Sequence, residues 1–125
     1  MTREEAERFA IQWADWWNAG DVGKVLEHFH QDVVFTSPKA LEVVGSPSVH
    51  GKDALRDYWT AALKRAGTLR FTVDYVLWDQ VRGELAIIYI SEIGGKAKRV
   101  SENLTFDENG QIISAEVFHG VVNSS

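Results

Sequence analysis

The sequence predicts an α+β fold in which helices are segregated onto one face of a curved antiparallel sheet. Two observations predict it. Apolar residues recur at helical spacing as far as Ala66, interrupted by one short strand-like run, Val33–Phe35. Beyond Leu69 four strand-like runs follow in succession, and the last two are joined by Asp107-Glu108-Asn109-Gly110, whose Asn-Gly is a strong hairpin signal. At 125 residues the chain makes one domain, expected over 1–122, with 123–125 as a frayed tail.

Thr2-Arg3-Glu4-Glu5 fits a capping box, in which Thr2 caps and Glu5 reaches back to the Thr2 N–H. Ala6, Phe9, Ala10, Trp13, Trp16 and Trp17 then share one helical face, and Gly20 ends the helix. Asp21 caps a short second helix with Val22, Val25, Leu26 and Phe29 on its buried side. Val33-Val34-Phe35-Thr36 reads as a strand stopped by Pro38. From Pro38 to His50 a loop is expected, broken by Gly45, Ser46 and Pro47, and its length is that of a lid or binding loop. A third helix, from about Lys52 to Ala66, buries Leu55, Tyr58, Trp59, Ala62 and Leu63. Leu69–Trp78, Leu85–Glu92 and the two hairpin runs complete an antiparallel meander.

Alternation assigns faces to the hairpin runs, Arg99–Phe106 and Gln111–His119. Val100, Glu102, Leu104 and Phe106 share one side; Ala115, Val117 and His119 share one side of the partner. With Phe106 opposite Gln111, Glu102 falls opposite Ala115, and His119 lies roughly 13 Å further along. That inner face is apolar except for one carboxyl and one imidazole. Such a carboxyl must be paired, hydrated or neutralised, because desolvating an isolated charge is expensive. Tyr89 depends on register: a two-residue turn at Gly94-Gly95 sets it opposite Val100 and diagonal to Glu102, whereas a one-residue slip turns it outward. Leu85–Ile90 is apolar on both faces, so pattern leaves the choice open. Two-sided apolarity also implies a cover for the outer face, and a homodimer partner is the expected one.

A net charge of −5 without a basic patch argues against nucleic acid. The absence of cysteine removes disulfides and thiolate chemistry, and four scattered histidines make no metal motif. No apolar run approaches the roughly 20 residues of a membrane span, and the start MTREEAERF is a charged helix rather than a signal peptide. A cytoplasmic protein with no metal or cofactor is expected. No Gly-rich phosphate loop or nucleophile elbow is present.

Trp-Asn-Ala-Gly-Asp (17–21), Phe-Thr-Ser-Pro (35–38), Gly-Lys-Asp-Ala-Leu (51–55) and Phe-Asp-Glu-Asn-Gly-Gln-Ile (106–112), in this order of elements, resemble the nuclear transport factor 2-like superfamily, closest to its ketosteroid isomerase-like and SnoaL-like branch. The resemblance implies a conical fold. Three N-terminal helices would pack on a strongly curved antiparallel (mixed-order) sheet that encloses an apolar pocket, usually as a homodimer. It also implies roles position by position. In ketosteroid isomerases the general base is an Asp directly before the Pro that ends the first strand; here that position is Ser37. The oxyanion-hole Tyr of the first helix corresponds to Trp13, the protonated oxyanion Asp to Glu102, and an aromatic pocket position on the last strand to His119. Two of the three catalytic positions differ. Steroid isomerisation by that mechanism is therefore not expected, since a serine lacks the basicity to take a carbon-bound proton unaided. SnoaL-like cyclases are similar in keeping an acidic residue near the pocket's far end.

The expected enzyme acts on a small hydrophobic molecule, an apolar carbonyl or polyketide-like compound. Glu102 is the expected acid or hydrogen-bond donor and His119 the candidate base. Ser37 and Tyr89 orient the ligand, and Trp13, Trp17, Phe35, Trp59, Leu104 and Val117 form the walls. Two alternatives stay open: a non-catalytic binder of an apolar ligand, or a dimerisation domain. Aromatic stripes at helical spacing are more often core than ligand cage, Glu102 has a second reading as a structural carboxyl, and His119 as a rim histidine packed on Trp.

Overall fold

Helix α1 (Arg3–Asn18) starts on the expected capping box, with Thr2 Oγ1 accepting from Glu5 N–H at 3.2 Å and Glu5 Oε1 accepting from Thr2 N–H at 2.9 Å. Its inner face buries Phe9, Trp13 and Trp17; Trp16 is only half-buried, stacked on His28 at 5.0 Å. Asp21 caps α2 (Val22–Leu26) through its carboxylate and Lys24 N–H. Phe29 was expected on that helix but opens strand β1 (Phe29–Thr36) instead. The reason is pairing: His28 C=O accepts from Ile112 N–H at 2.8 Å, which draws the chain into a sheet immediately after the helix.

Pro38–His50 is not a loop. Ser37 caps a further helix, α3 (Pro38–Val44), which ends on Gly45 in the left-handed conformation, and β2 (Ser48–His50) pairs antiparallel with β1. Pro38 occupies the first turn, where a missing N–H costs nothing, so Ser-Pro is a helix start as well as a strand stop. Three expected helices become four among the described residues.

α4 (Lys52–Ala66) follows as expected, then β3 (Leu69–Asp79), β4 (Glu84–Ile93), β5 (Lys96–Phe106) and β6 (Ile112–Asn123). The computed structural model describes residues 1–123. Asn123 closes β6 rather than belonging to a tail, and the tail expected at Ser124 and Ser125 lies outside the described residues. The six strands form one open sheet in the order β2-β1-β6-β5-β4-β3. Every pairing is antiparallel except β1 with β6, which is parallel. α1 packs on β3 and α4 on β1, while α3 covers part of β6. Among the described residues no helix is long and apolar enough to cross a membrane.

Two turns decide the inner face. Gly94 and Gly95 both take positive φ, 58° and 80°, as a two-residue hairpin turn of matching twist demands. Ile93 then pairs with Lys96 and Tyr89 with Val100, which settles Tyr89 inward. The β5–β6 turn is wider than expected: Asp107 N–H donates to Gln111 C=O, Phe106 pairs with Ile112, and an irregularity follows between Phe106 and Thr105. Together they move the register by two. Glu102 therefore lies opposite Val117 rather than Ala115, and His119 opposite Val100. Because side chains alternate with period two, the shift preserves the faces of Glu102, Leu104, Ala115, Val117 and His119 while bringing His119 about 7 Å from the Glu102 level instead of roughly 13 Å.

Candidate active site

Side chains from two helices and five strands converge on a cavity of about 90 Å³ between the helices and the inner sheet face. α1 brings Trp13 and Trp17, one turn apart, and α4 brings Tyr58, Trp59, Ala62 and Leu63. Phe35 and Ser37 come from the end of β1, and Leu69 and Phe71 from β3. Glu102 on β5 stands opposite Val117 on β6, with Tyr89 on β4 diagonal to Glu102.

The aromatic walls hold one another. Trp13 stacks on Phe71 at 5.5 Å and meets Tyr89 edge-on at 5.0 Å; Trp17 meets Trp59 edge-on at 4.9 Å. Such pairs favour offset or edge contacts over face-to-face stacking. Asn18 anchors the arrangement: its Nδ2 donates to Phe71 C=O at 2.9 Å while its Oδ1 accepts from Phe71 N–H at 2.7 Å. The last residue of α1 thus fixes the strand that carries the stacked Phe.

Glu102 is 5 % exposed, and its one hydrogen-bond partner among the described residues is the Tyr89 hydroxyl, which donates to Oε1 at 3.2 Å. Burial pushes its pKa up from the ordinary 4.5 to about 8, and the Tyr89 hydrogen bond only partly offsets that, because one donor replaces little of the lost hydration. Burial likewise holds the Tyr89 phenol well above its ordinary value and pushes Tyr58 up to about 12. Glu102 is consequently the group in this cavity that changes charge near neutral pH. Ser37 is buried, and its oxygen is committed to Lys39 N–H at 3.2 Å as the α3 cap. Trp17 Nε1 is buried without an acceptor among the described residues.

Trp13, Trp17, Phe35, Ser37, Trp59, Tyr89, Glu102 and Val117 all line the cavity. Leu104 is fully buried but lies outside the lining. His119 is also outside it, in an adjoining groove with Pro38 and Phe118. Tyr58 and Phe71 line the cavity although the sequence reading did not single them out. Tyr58 was legible as a buried position beside Trp59, and Phe71 as an alternating residue, but nothing local distinguishes wall from core.

An open six-stranded mixed sheet with helices packed across one face is an α+β architecture, the fold that this chain shares with solved SnoaL-like and NTF2-like structures. The SnoaL-like domain family matches residues 10–114, and the chain belongs to that family. A SnoaL-like protein of unknown function from Burkholderia thailandensis superposes with a TM-score of 0.85 at 24% identity, covering 96% of this chain and 98% of that one. An NTF2-like protein of unknown function from Cytophaga hutchinsonii gives a TM-score of 0.69 at 13% identity, covering 95% and 90%. The epoxide hydrolase/cyclase-like enzyme SalBIII, described in pyran ring formation in the polyether salinomycin, gives 0.75 at 19% identity, covering 97% and 95%. At these identities the structures share the fold alone. A search of curated proteins finds no match.

Proposed function

We propose that this chain is a small-molecule enzyme in which Glu102 performs acid–base chemistry on an apolar carbonyl compound. The observation that carries the proposal is a carboxyl, 5 % exposed, with its pKa raised to about 8 in a cavity walled by Trp, Phe and Tyr. A base whose pKa is raised toward the working pH is an efficient one. The carboxylate takes a proton from the carbon beside the carbonyl, the electron pair moves onto the carbonyl oxygen, and the acid so formed returns the proton elsewhere on the same substrate. That sequence is an isomerisation, or a ring closure if the carbanion attacks a second carbonyl first. Tyr89 steadies the ionised Glu102, and the Tyr58 hydroxyl is a donor available to the oxygen as it gains charge.

The test is exchange of α-protons for deuterium, followed by proton NMR over a panel of apolar ketones. Wild type is expected to exceed the buffer rate and Glu102→Gln to lose about a hundredfold or more, the usual scale of a positioned base. Unchanged exchange in Glu102→Gln sinks the assignment. A second reading, binding without catalysis, is favoured by His119 lying outside the cavity, which leaves Glu102 without a second base. On that reading Glu102→Leu keeps ligand affinity and raises stability. The proposal includes a homodimer through the outer sheet face, where Tyr75, Leu77 and Phe118 are exposed.

A further inference from the structure

One polar group of the cavity has no part in the acid–base proposal. Trp17 lines the cavity and is 7 % exposed, and its indole Nε1 finds no acceptor among the described residues. A donor taken out of water with nothing to answer it is costly. Its neighbours explain why the chain supplies no partner. Trp17 meets the Trp59 ring edge-on at 4.9 Å and the Phe71 ring at 6.0 Å, and neither ring carries an acceptor oxygen. Two of the cavity's oxygens are engaged elsewhere: Glu102 Oε1 accepts from the Tyr89 hydroxyl, and Ser37 Oγ caps α3.

The donor is also held in place. Trp17 belongs to the last turn of α1, and the next residue, Asn18, clamps Phe71 through both ends of its side-chain amide. A group fixed on a helix in this way is set before any ligand arrives. It is set apart from the acid as well. Phe71 packs against Trp17 at 6.0 Å and against Tyr89, the partner of Glu102, at 4.7 Å, while Trp17 and Tyr89 make no ring contact with each other among the described residues. Donor and acid are two separate polar points on one aromatic lining.

We propose that the cavity's ligand carries two neutral oxygen acceptors: a carbonyl at Glu102, and a second oxygen to which Trp17 Nε1 donates. This seat rests on the apolar-carbonyl cavity proposed above and adds the feature by which the cavity selects among such compounds. The second oxygen belongs to a ketone, ester or ether rather than a carboxylate. Trp59 and Phe71 would strip an anion of its hydration, and the lining contains no lysine or arginine to compensate it. An analogue that lacks the second oxygen leaves the indole N–H buried and unanswered, so the site binds it less tightly. Trp17 acts here by selecting and orienting the ligand; the reacting group remains Glu102.

Cyclohexane-1,4-dione and 4-methylidenecyclohexanone, which differ by one oxygen exchanged for CH₂, test the seat. Each is titrated into protein carrying isotope-labelled tryptophan, and the indole N–H signals of the five Trp are followed by NMR. Wild type is expected to bind the dione at least threefold more tightly, about the worth of one neutral hydrogen bond. The Trp17 indole proton should move downfield with the dione and not with the isostere. In Trp17→Phe the preference falls to near unity, while the Trp16→Phe control, outside the lining, keeps it. Equal affinities in wild type, a Trp17 shift common to both probes, or a preference that survives Trp17→Phe overturns the seat. Equal binding that still perturbs cavity residues leaves the cavity proposal standing; failure of both probes to bind removes cavity and seat together. The wild-type comparison needs no variant, so a Trp17→Phe chain that fails to fold does not shield the idea.

Discussion

Glu102 owes its chemistry to the residues that exclude water from it. A carboxyl with a higher pKa in the folded than in the unfolded chain holds its proton more tightly when folded, so its stabilising contribution is complete below about pH 4.5 and is lost as the pH rises to about 8. His28 and His119, both held below 6.5 mainly by burial, act in the opposite sense at lower pH. The Glu102 contribution is therefore read cleanly between about pH 6.5 and 8. Urea unfolding of wild type should show stability falling there by up to about 1.4 kcal/mol per pH unit, and Glu102→Gln should abolish the fall. A slope that persists in the variant would assign it to another group. Tyr89→Phe removes the one hydrogen bond that favours the ionised form, so carbon-detected NMR should find the Glu102 pKa above its wild-type value. A carboxyl on an apolar strand face is visible from alternation alone. Its pKa is not, because desolvation depends on Trp13 and Val117, which come from opposite ends of the chain.

At the scale of elements, local chemistry predicted helix starts well and strand partners less well. Thr2 and Asp21 act as caps within one turn, which is why both were legible. Ser37 was read only as a site position, yet it caps α3; Ser37→Ala should cost about 1 kcal/mol in urea unfolding and loosen the α3 wall of the groove. The β5–β6 register slipped by two because turn width and ladder irregularities are set by backbone pairing across the turn, which side-chain pattern does not report. A further irregularity beyond His119 brings β5 and β6 unusually close: a Cβ at Gly120 would sit 2.6 Å from Arg99 C=O. Gly120→Ala should therefore destabilise by about 1–3 kcal/mol, since the obstacle is backbone and cannot rotate away. Loss of less than a few tenths would mean that the strands separate easily at this point.

Across the whole molecule, the inner sheet face is covered by helices and the outer face is not. Tyr75, Leu77 and Phe118 are 46, 57 and 56 % exposed there, with Arg99 joined to Asp74 at 3.1 Å among them. Sedimentation equilibrium is expected to report a dimer, and Phe118→Glu to shift it toward monomer; a wild-type monomer at all concentrations removes the dimer proposal. Periodicity and capping chemistry by themselves determined the α+β class, the capping box of α1, the limits of α4 and the meander of the last four strands, because each depends on residues within a turn or a hairpin of one another. Tertiary structure decided the rest. The parallel β1–β6 pairing, the position of His119 outside the cavity and the dryness around Glu102 all depend on contacts between segments far apart in the chain, where no local preference reaches.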